Sequence, residues 1–483
     1  MTDEMEFVIR PSLSVLDNKQ IDYFVDRALG ILAGQGVRVL HNEAIRLLED
    51  AGASAGKDGK VRIPMSLVGN AIESAPKHLL IYDRKGNPAM ELGGGNTGGQ
   101  NTYYGTGSDL RHTTEPVTEE IRLTVAEDVG NMAKVVEQSE NIEFLMSYGI
   151  PSDCALKKVY PVEFLQMVGN SRKPIVFTSD NEAVSNRIIE MAALVAGGMD
   201  KLKEKPFVLN YSQPTSPLQH SEDAIGKMFA CADHQIPLVY PPGMIPGATA
   251  PATLAGVIVQ SLAESFSALV IHQQRKRGAP IVLGGAHGCM DMRTAINVYA
   301  APERLKTQAA LASIYQHFGL PTWGFGGCTD SVSLDAQAGG EFGSLSLWAS
   351  LCGVNLAHDV GYLGSGMVGD LRAIVLNDEI NGYVRSILRQ GMTVDRKHLA
   401  ADAISRVGSG GNYLEDEHTL HYFRSEFWEP RLSNRDSLAV WQQKGRVSLT
   451  TRLGTTVAQI LESENEGALE RKLAEELSRM VDV

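Results

Sequence analysis

The chain has 483 residues, of which 43% are hydrophobic and 21% are charged, the balance of an ordinary globular protein. Its formal net charge is −13 and it has no basic tract, so we expect no nucleic-acid partner. The five cysteines are scattered, the first residues are acidic, and no apolar run looks long enough to span a bilayer. These features argue against a disulfide framework and predict a cytoplasmic protein without a membrane partner.

Residues 1–95 are predicted to form a helical region without clusters of catalytic residue types. Apolar residues recur at helical spacing over 17–32, and two further helices are predicted over 41–51 and 64–75.

In residues 96–390, short apolar runs recur, each followed by glycine and then by a helical pattern. The eight predicted strands lie at 102–106, 142–149, 174–179, 206–212, 236–243, 280–285, 321–326 and 354–359. The helices between them are predicted at 118–139, 182–196, 221–234, 253–277, 302–318 and 337–352. Strands that alternate with helices over roughly 280 residues predict an α/β fold, an eight-stranded (β/α)8 TIM barrel.

A doubly wound sheet is the alternative architecture. It should carry a glycine-rich dinucleotide turn between its first strand and a helix. The glycines at 93–99 are followed by a tyrosine-rich strand, so we favour the barrel. Residues 391–483 are predicted to be a helical extension that packs on the barrel, including the aromatic and charged segment 418–430.

The active site of such a barrel forms from the loops that follow the strands. The strand-end candidates are Gln100, Asn101, Tyr103, Tyr104, Tyr148, Asn210, Tyr211, Gln213, Tyr240, His287, Asp291, Arg293, Trp323, Phe325, Asp330, His358, Asp359 and Tyr362. Aromatic residues recur among them, although the whole chain is only 6% aromatic, and the charges are sparse and mostly acidic. Aromatic faces beside a carboxylate suit a quaternary ammonium ion, because the ring attracts a cation that cannot donate a hydrogen bond. The alternative is that these rings fill the core.

Other chemistries find little support in the sequence. It has no zinc-ligand spacing, no GxSxG elbow, no P-loop and no lysine at a strand end. His287, Asp291 and His358 could meet at a metal, which leaves a metal-dependent lyase or hydrolase as an alternative. An aromatic mouth without a nucleophile indicates that the reactive partner is supplied from outside.

Five motifs are distinctive when taken together: Gly284-Gly-Ala-His-Gly-Cys-Met-Asp-Met-Arg-Thr, Gly319-Leu-Pro-Thr-Trp, Thr329-Asp-Ser, Val375-Leu-Asn-Asp-Glu and Phe423-Arg-Ser-Glu-Phe-Trp-Glu-Pro. With them the chain resembles the trimethylamine methyltransferase family over nearly its whole length. The resemblance implies a barrel that passes a methyl group from an amine to the Co(I) of a separate corrinoid protein, with no permanently bound cofactor. Because the chain contains only standard residues and no pyrrolysine, it resembles the branch whose implied substrates are glycine betaine and related quaternary amines such as proline betaine and carnitine.

The resemblance and the mouth residues together suggest roles for individual side chains. The predicted catalytic residues are His358, Glu379 and Asp330. The predicted substrate-binding residues are Tyr103, Tyr104, Asn210, Tyr211, Arg293, Trp323, Phe325, Glu341 and Tyr362. Asp330 or Glu341, with Glu379 as a further candidate, would face the ammonium, and Arg293, His358 or Asn210 would receive a betaine carboxylate. We expect a homo-oligomer, and a betaine-binding protein without turnover remains the non-enzyme alternative.

Overall fold

The computed structural model describes residues 5–95, 101–285 and 287–481. Eight parallel strands form one sheet, and we number them β1 to β8 in chain order. They are Tyr103–Thr106, Leu145–Met146, Ile175–Phe177, Val208–Tyr211, Leu238–Tyr240, Ile281–Gly284, Thr322–Phe325 and Leu356–Val360. Consecutive strands are neighbours, β8 pairs with β1, and a parallel bridge between Gly105 and Phe144 joins β1 to the start of β2. The predicted barrel and its eight strands are confirmed.

Each barrel strand is followed by a helix, numbered α1 to α8. They are Ala126–Gln138, Val159–Asn170, Glu182–Ala196, Glu222–His234, Leu254–Arg275, Pro302–His317, Ala336–Leu351 and Leu371–Arg385. The first helix was predicted to begin at 118, but residues Ile121–Leu123 pair with His112–Thr114 in an antiparallel ribbon. Helix α1 therefore begins only at Ala126. Helix α3 begins after Asn181, whose side chain caps it by accepting a hydrogen bond from Val184 N.

Side chains of the barrel strands alternate between the lumen and the surrounding helices, as a period of two requires. On β4, Leu209 and Tyr211 belong to the cluster that fills the lumen, whereas Val208 packs outward. The same alternation places Trp323 of β7 and Leu356 of β8 inside. Because of this alternation, neighbouring residues on one strand cannot both face the lumen.

A β-hairpin fills the amino-terminal end of the barrel. Its strands His78–Tyr82 and Pro88–Gly93 bury Leu79, Ile81, Met90 and Leu92 against residues inside the barrel. The hairpin is fixed by a backbone bond of 2.9 Å from Tyr82 N to Pro206 O, just before β4. The carboxyl-terminal end of the strands is therefore the end at which a ligand can enter.

The three predicted N-terminal helices are present as Asn18–Gly34, Asn42–Asp50 and Met65–Ser74. Between them lie short strands that were not predicted, Val37–Val39, Ser54–Ala55 and Lys60–Arg62, the first of which also pairs with Gln219–His220. These strands have only two or three residues, too few for a period of two to be recognised.

One helix, α5, is long and apolar enough by composition to cross a membrane, contrary to our reading of the sequence. In its most apolar window 72% of the residues are buried inside the protein. It packs against all three N-terminal helices as well as α4 and α6. Its apolar character is therefore that of a core helix.

The last two helices of the C-terminal segment pack on the barrel, Leu449–Glu462 on α1 and α8 and Arg471–Val481 on α2 and α3. Among residues 391–449, all of which the structure describes, only Ala403 is buried. This segment contains the helices Ala401–Val407, Glu417–Glu426 and Leu438–Gln443, and Met392–Val394 pairs with Phe7–Ile9. In the segment 418–430, Leu420 is 77% and Phe427 69% exposed, whereas the Trp428 ring centroid lies 5.4 Å from that of Tyr383 on α8.

Candidate functional site

Four rings meet at the carboxyl-terminal end of the barrel lumen, and we call them the aromatic cluster: Tyr211, Trp323, Phe325 and His358. The His358 ring centroid lies 4.4 Å from that of Trp323 and 4.7 Å from that of Phe325. The Tyr211 centroid is 5.7 Å from that of Trp323 across the lumen. The predicted aromatic mouth is therefore built from alternate residues of β4, β7 and β8.

His358 is held by two contacts in the buried part of this cluster. Its Nδ1 lies 2.7 Å from the carbonyl oxygen of Gly324. A carbonyl oxygen only accepts, so Nδ1 carries a hydrogen, and Nε2 faces Asp359 Oδ1 at 3.1 Å. Burial lowers the pKa of His358, while Asp359 and the Gly324 carbonyl oppose that shift. Any proton bound at Nε2 is shared with the Asp359 carboxylate.

Asp359 places a carboxylate against the His358 ring of the aromatic cluster, with Oδ1 3.1 Å from Nε2. Its φ of 75° is in the left-handed region, a conformation that costs on the order of 1 kcal/mol for a residue with a side chain. Asp359 is only 3% exposed, and its Oδ2 has no hydrogen-bond partner. Burial first and then the Asp359 charge raise the pKa values of Tyr211, Tyr299 and Tyr362, that of Tyr299 to about 12. This carboxylate is therefore surrounded by phenol rings, and its Oδ2 makes no hydrogen bond but lies 3.7 Å from the guanidinium of Arg304.

Arg304 supports the cluster from α6. Its guanidinium lies over the rings of Phe325 and Tyr299, the latter centroid being 4.6 Å away. Nη1 donates to Tyr299 O at 2.7 Å, and Nη2 lies 3.7 Å from Asp359 Oδ2. Sequence reasoning missed Arg304 because it searched strand ends and not the first turn of a helix. Asp359 was among the strand-end candidates but was not chosen.

The carboxylates of Asp330 and Glu341 are used to hold loops. Asp330 accepts the backbone N–H groups of Tyr299 at 2.6 Å and Ala300 at 2.9 Å, together with the Ser365 hydroxyl at 2.6 Å. Glu341 accepts Asp330 N and Gln337 Nε2, both at 2.9 Å, and the hydroxyl of Thr329. Asp330 thus positions the loop that carries Tyr299, and Glu341 positions the loop at Thr329 and Asp330.

Glu379 lies away from the mouth, in the middle of α8. It accepts the backbone N–H groups of Arg431, Leu432 and Ser433 at 2.9–3.2 Å, and so anchors the C-terminal segment. It lines a separate cavity of about 320 Å³. The neighbouring Asp378 accepts Asn141 N at 2.6 Å, and Asn141 precedes β2. Glu379 is therefore near the amino-terminal end of the strands.

Three other predicted residues face away from the aromatic cluster. The Tyr104 hydroxyl donates to Ser346 O of α7 at 2.8 Å, and burial raises its pKa to about 12. Asn210 donates to Ser185 of α3 at 2.8 Å. The Tyr103 hydroxyl accepts Glu91 N of the hairpin that closes the opposite end.

Two more predicted residues lie beyond the strand ends. Tyr362 donates to Ser108 O and lies beside Asp359, so it belongs to the mouth. Arg293 is exposed at the turn between the paired strands Cys289–Asp291 and Ile296–Val298. Gln100 lies outside the described residues.

The three residues considered for a metal are engaged separately. His287 Nε2 lies 3.1 Å from Ser261 Oγ, and burial lowers the pKa of His287 to about 3. Asp291 binds Arg293 N and Thr294 Oγ1, while His358 binds Gly324 O. Within 5–95, 101–285 and 287–481, no group of three or more His, Cys, Asp or Glu side chains is arranged to hold a metal ion.

Comparison with known proteins identifies the family of this chain. A family model described as trimethylamine methyltransferase (MTTB) matches residues 3–483. The chain is 30% identical to the trimethylamine methyltransferase MttB of Desulfitobacterium hafniense, over 94% of this chain and 90% of that protein. It is 28% identical to a glycine betaine methyltransferase of another strain of that organism, over 90% and 89%.

A solved structure shows the same fold at low identity. The monomethylamine methyltransferase MtmB of Methanosarcina barkeri aligns with a TM-score of 0.55 at 10% identity, over 93% of this chain and 88% of that one. The family match over the whole chain and the methyltransferase relatives confirm the resemblance of the motifs. The chain belongs to the trimethylamine methyltransferase family, and it is a methyltransferase.

Proposed function

We propose that this enzyme moves a methyl group from a quaternary amine to the Co(I) of a partner corrinoid protein. Glycine betaine is the first substrate to test, followed by proline betaine and carnitine. The observation that carries the proposal is the buried Asp359 carboxylate, which makes no hydrogen bond through Oδ2 and is surrounded by aromatic rings. A relative named glycine betaine methyltransferase supports the same choice.

The aromatic cluster suits a trimethylammonium group for two reasons. Each ring face attracts a desolvated cation by about 0.5–2 kcal/mol. The Asp359 carboxylate adds a charge at short range without requiring an N–H donor from the ligand, and a quaternary nitrogen has none. A tertiary amine also lacks an activated leaving group until it is protonated or forms an adduct, and this chain contains no pyrrolysine.

The barrel and the partner corrinoid protein contribute different parts of the methyl transfer. The methyl carbon leaves without the C–N bonding electrons, which remain on nitrogen as the lone pair of a tertiary amine. The corrinoid supplies the nucleophile when its protein docks at the mouth. The barrel's contribution is to orient one methyl group outward and to exclude water from the cation, which lowers the barrier through positioning.

The alternatives have less support. A betaine-binding protein without turnover is disfavoured because the relatives are named as methyltransferases. A metal-dependent lyase or hydrolase would need ligands that the described residues do not bring together.

The test is to mix the purified chain with reduced cob(I)alamin and a panel of quaternary amines, and to follow methylcobalamin by its absorbance. We expect conversion with at least one betaine and none with trimethylamine. Binding of a betaine without conversion, even with the cognate corrinoid protein added, would favour the binder. Absence of both binding and conversion for the whole panel would reject the quaternary-amine assignment.

We further infer a cytoplasmic homo-oligomer. All five cysteines are free thiols, as in a reducing compartment. Apolar side chains are exposed on the ribbon of Phe7–Ile9 with Met392–Val394 and along 399–449, and exposed apolar patches mark contact surfaces. Analytical ultracentrifugation should show an assembly larger than a monomer, and a 52.3 kDa species at micromolar concentration would contradict this inference.

A further inference from the structure

Arg304 packs against two aromatic rings at the mouth of the barrel. It lies in the first turn of α6 and is only 2% exposed. Its guanidinium lies over the rings of Phe325 and Tyr299, and Nη1 donates a hydrogen bond of 2.7 Å to Tyr299 O. These contacts fix the position of the guanidinium beside the aromatic cluster while using one of its three nitrogen atoms as a donor.

One edge of this guanidinium makes no hydrogen bond. Nε is buried and has no hydrogen-bond partner among the described residues. Nη2 lies 3.7 Å from Asp359 Oδ2, whereas a hydrogen bond between such groups measures about 2.7–2.9 Å. The planar group holds one N–H bond of Nε and one of Nη2 side by side. The Nε–Nη2 edge is therefore the two-pronged arrangement that binds a carboxylate through both of its oxygen atoms.

Asp359 is unsatisfied on the side that faces this edge. Its Oδ2, the atom 3.7 Å from Arg304, accepts no hydrogen bond within the described residues, while Oδ1 faces His358 Nε2 at 3.1 Å. Buried polar atoms are nearly always hydrogen-bonded, so an unused donor on one group and an unused acceptor on its neighbour indicate a missing ligand. That ligand would bring an acceptor to Arg304 and a positive charge to Asp359.

The charges beside the aromatic cluster favour the same kind of ligand. Arg304 contributes a positive charge and Asp359 a negative one, and burial lowers the pKa of His358, which keeps that ring neutral at pH 7. A bare cation at this place would be repelled by Arg304 as well as attracted by Asp359. A zwitterion would instead set each of its ends against the protein group of opposite charge.

We propose that Arg304 binds the carboxylate of the substrate on its Nε–Nη2 edge, while Asp359 and the aromatic cluster face the trimethylammonium group. This inference rests on the proposed function and narrows its substrate class. Because 3.7 Å separates the two protein charges, the fitting zwitterion has its own charges close together. In glycine betaine and proline betaine a single carbon atom separates the nitrogen from the carboxylate, whereas carnitine has a longer chain. The enzyme should therefore select these short betaines.

The test measures the binding of glycine betaine, carnitine and tetramethylammonium to the full chain by titration calorimetry. Glycine betaine should bind to the wild-type chain at least about tenfold more tightly than either of the others, because it alone matches both charges at their spacing.

Two variants of Arg304 separate recognition from support of the fold. Arg304→Lys keeps the positive charge and loses the two-pronged edge, so glycine betaine should bind at least about tenfold more weakly and tetramethylammonium within about twofold of wild type. Arg304→Met also removes the charge that opposes a bare cation, so tetramethylammonium should bind at least as tightly as in wild type. A merely loosened mouth would weaken both ligands. Circular dichroism checks that each variant is folded, and Arg304→Lys carries the test if Arg304→Met is not.

The matched control is Arg275→Lys. Arg275 also lies over a phenylalanine ring, with Cζ 4.7 Å from the Phe229 centroid, and pairs with a carboxylate, that of Asp233, at 2.6 Å. It is the last residue of α5, at the opposite end of the barrel from the mouth. All three ligands should therefore bind to this variant as they do to wild type.

The outcomes distinguish this inference from the proposed function. Equal weakening of glycine betaine and tetramethylammonium in Arg304→Lys would limit Arg304 to supporting the mouth, and unchanged betaine binding would remove it from recognition. A wild-type chain that binds carnitine or tetramethylammonium as tightly as glycine betaine would overturn the inference while leaving quaternary-amine demethylation standing. If the wild-type chain neither binds nor demethylates any quaternary amine, both proposals are rejected.

Discussion

Replacing Asp359 by Asn should lower kcat/KM for the best quaternary amine by at least about 30-fold. Removing one partner of a buried charge pair costs about 2–5 kcal/mol, and the Asn side chain keeps the shape of the site while losing its charge. Asp359 also faces His358 Nε2 at 3.1 Å and Arg304 Nη2 at 3.7 Å, so the variant leaves the cation Arg304 without its nearest carboxylate. The measurement is methylcobalamin formation over a range of amine concentrations.

The control for this variant is Asp233→Asn. Asp233 is near the end of α4, exposed, and pairs with Arg275 at 2.6 Å far from the strand ends that form the mouth. The same change of charge there should leave kcat/KM within about twofold. Wild-type turnover by Asp359→Asn would remove this carboxylate from the site and return Asp330 and Glu341 to consideration.

Asp370→Ala should destabilise the fold by about 3–5 kcal/mol, a large part of the total of about 5–15 kcal/mol for a typical protein. Asp370 is fully buried, caps α8 by accepting Arg372 N at 2.8 Å, and pairs with the Arg372 guanidinium at 2.7 Å. Without it, the buried Arg372 guanidinium keeps the exposed Glu119 as its one ion-pair partner among the described residues. Urea denaturation followed by circular dichroism measures the change.

Asp335→Ala is the comparison that isolates the buried ion pair. Asp335 caps α7 in the same manner, accepting Ala338 N at 3.0 Å, but is exposed and has no buried cation to leave behind. Losing this cap should lower the free energy of unfolding by about 1 kcal/mol, the usual contribution of an N-cap. Equal urea-denaturation midpoints for Asp370→Ala and Asp335→Ala would show that the ion pair with Arg372 adds nothing to stability beyond the helix cap.

The barrel could be predicted from the sequence because its signals are local. Proline before a strand, glycine after it and a cap such as Asn181 each mark a boundary without reference to the rest of the fold. The strands at 37–39 and 60–62 carry no such signal, since their pairing depends on partners such as residues 219–220.

The candidate site could be predicted only in part. The period of two on β4 already implies that Asn210 and Tyr211 face opposite sides, yet both were chosen. The engagement of Asp330 and Glu341 depends on loops that fold back from 299–300 and 365, and no sequence spacing reveals it. Arg304 reaches the mouth from a helix, so a search restricted to strand ends could not find it.

The hairpin at 78–93 also has a consequence for the order of events in catalysis. It fills the amino-terminal end of the barrel, so in the described structure the amine and the corrinoid protein would share the opposite opening. Under the proposed function, a docked partner would cover the route by which the amine enters. Kinetics should then be compulsorily ordered, with the amine bound first and the demethylated product released last. An excess of the partner protein would slow turnover by occupying the empty barrel.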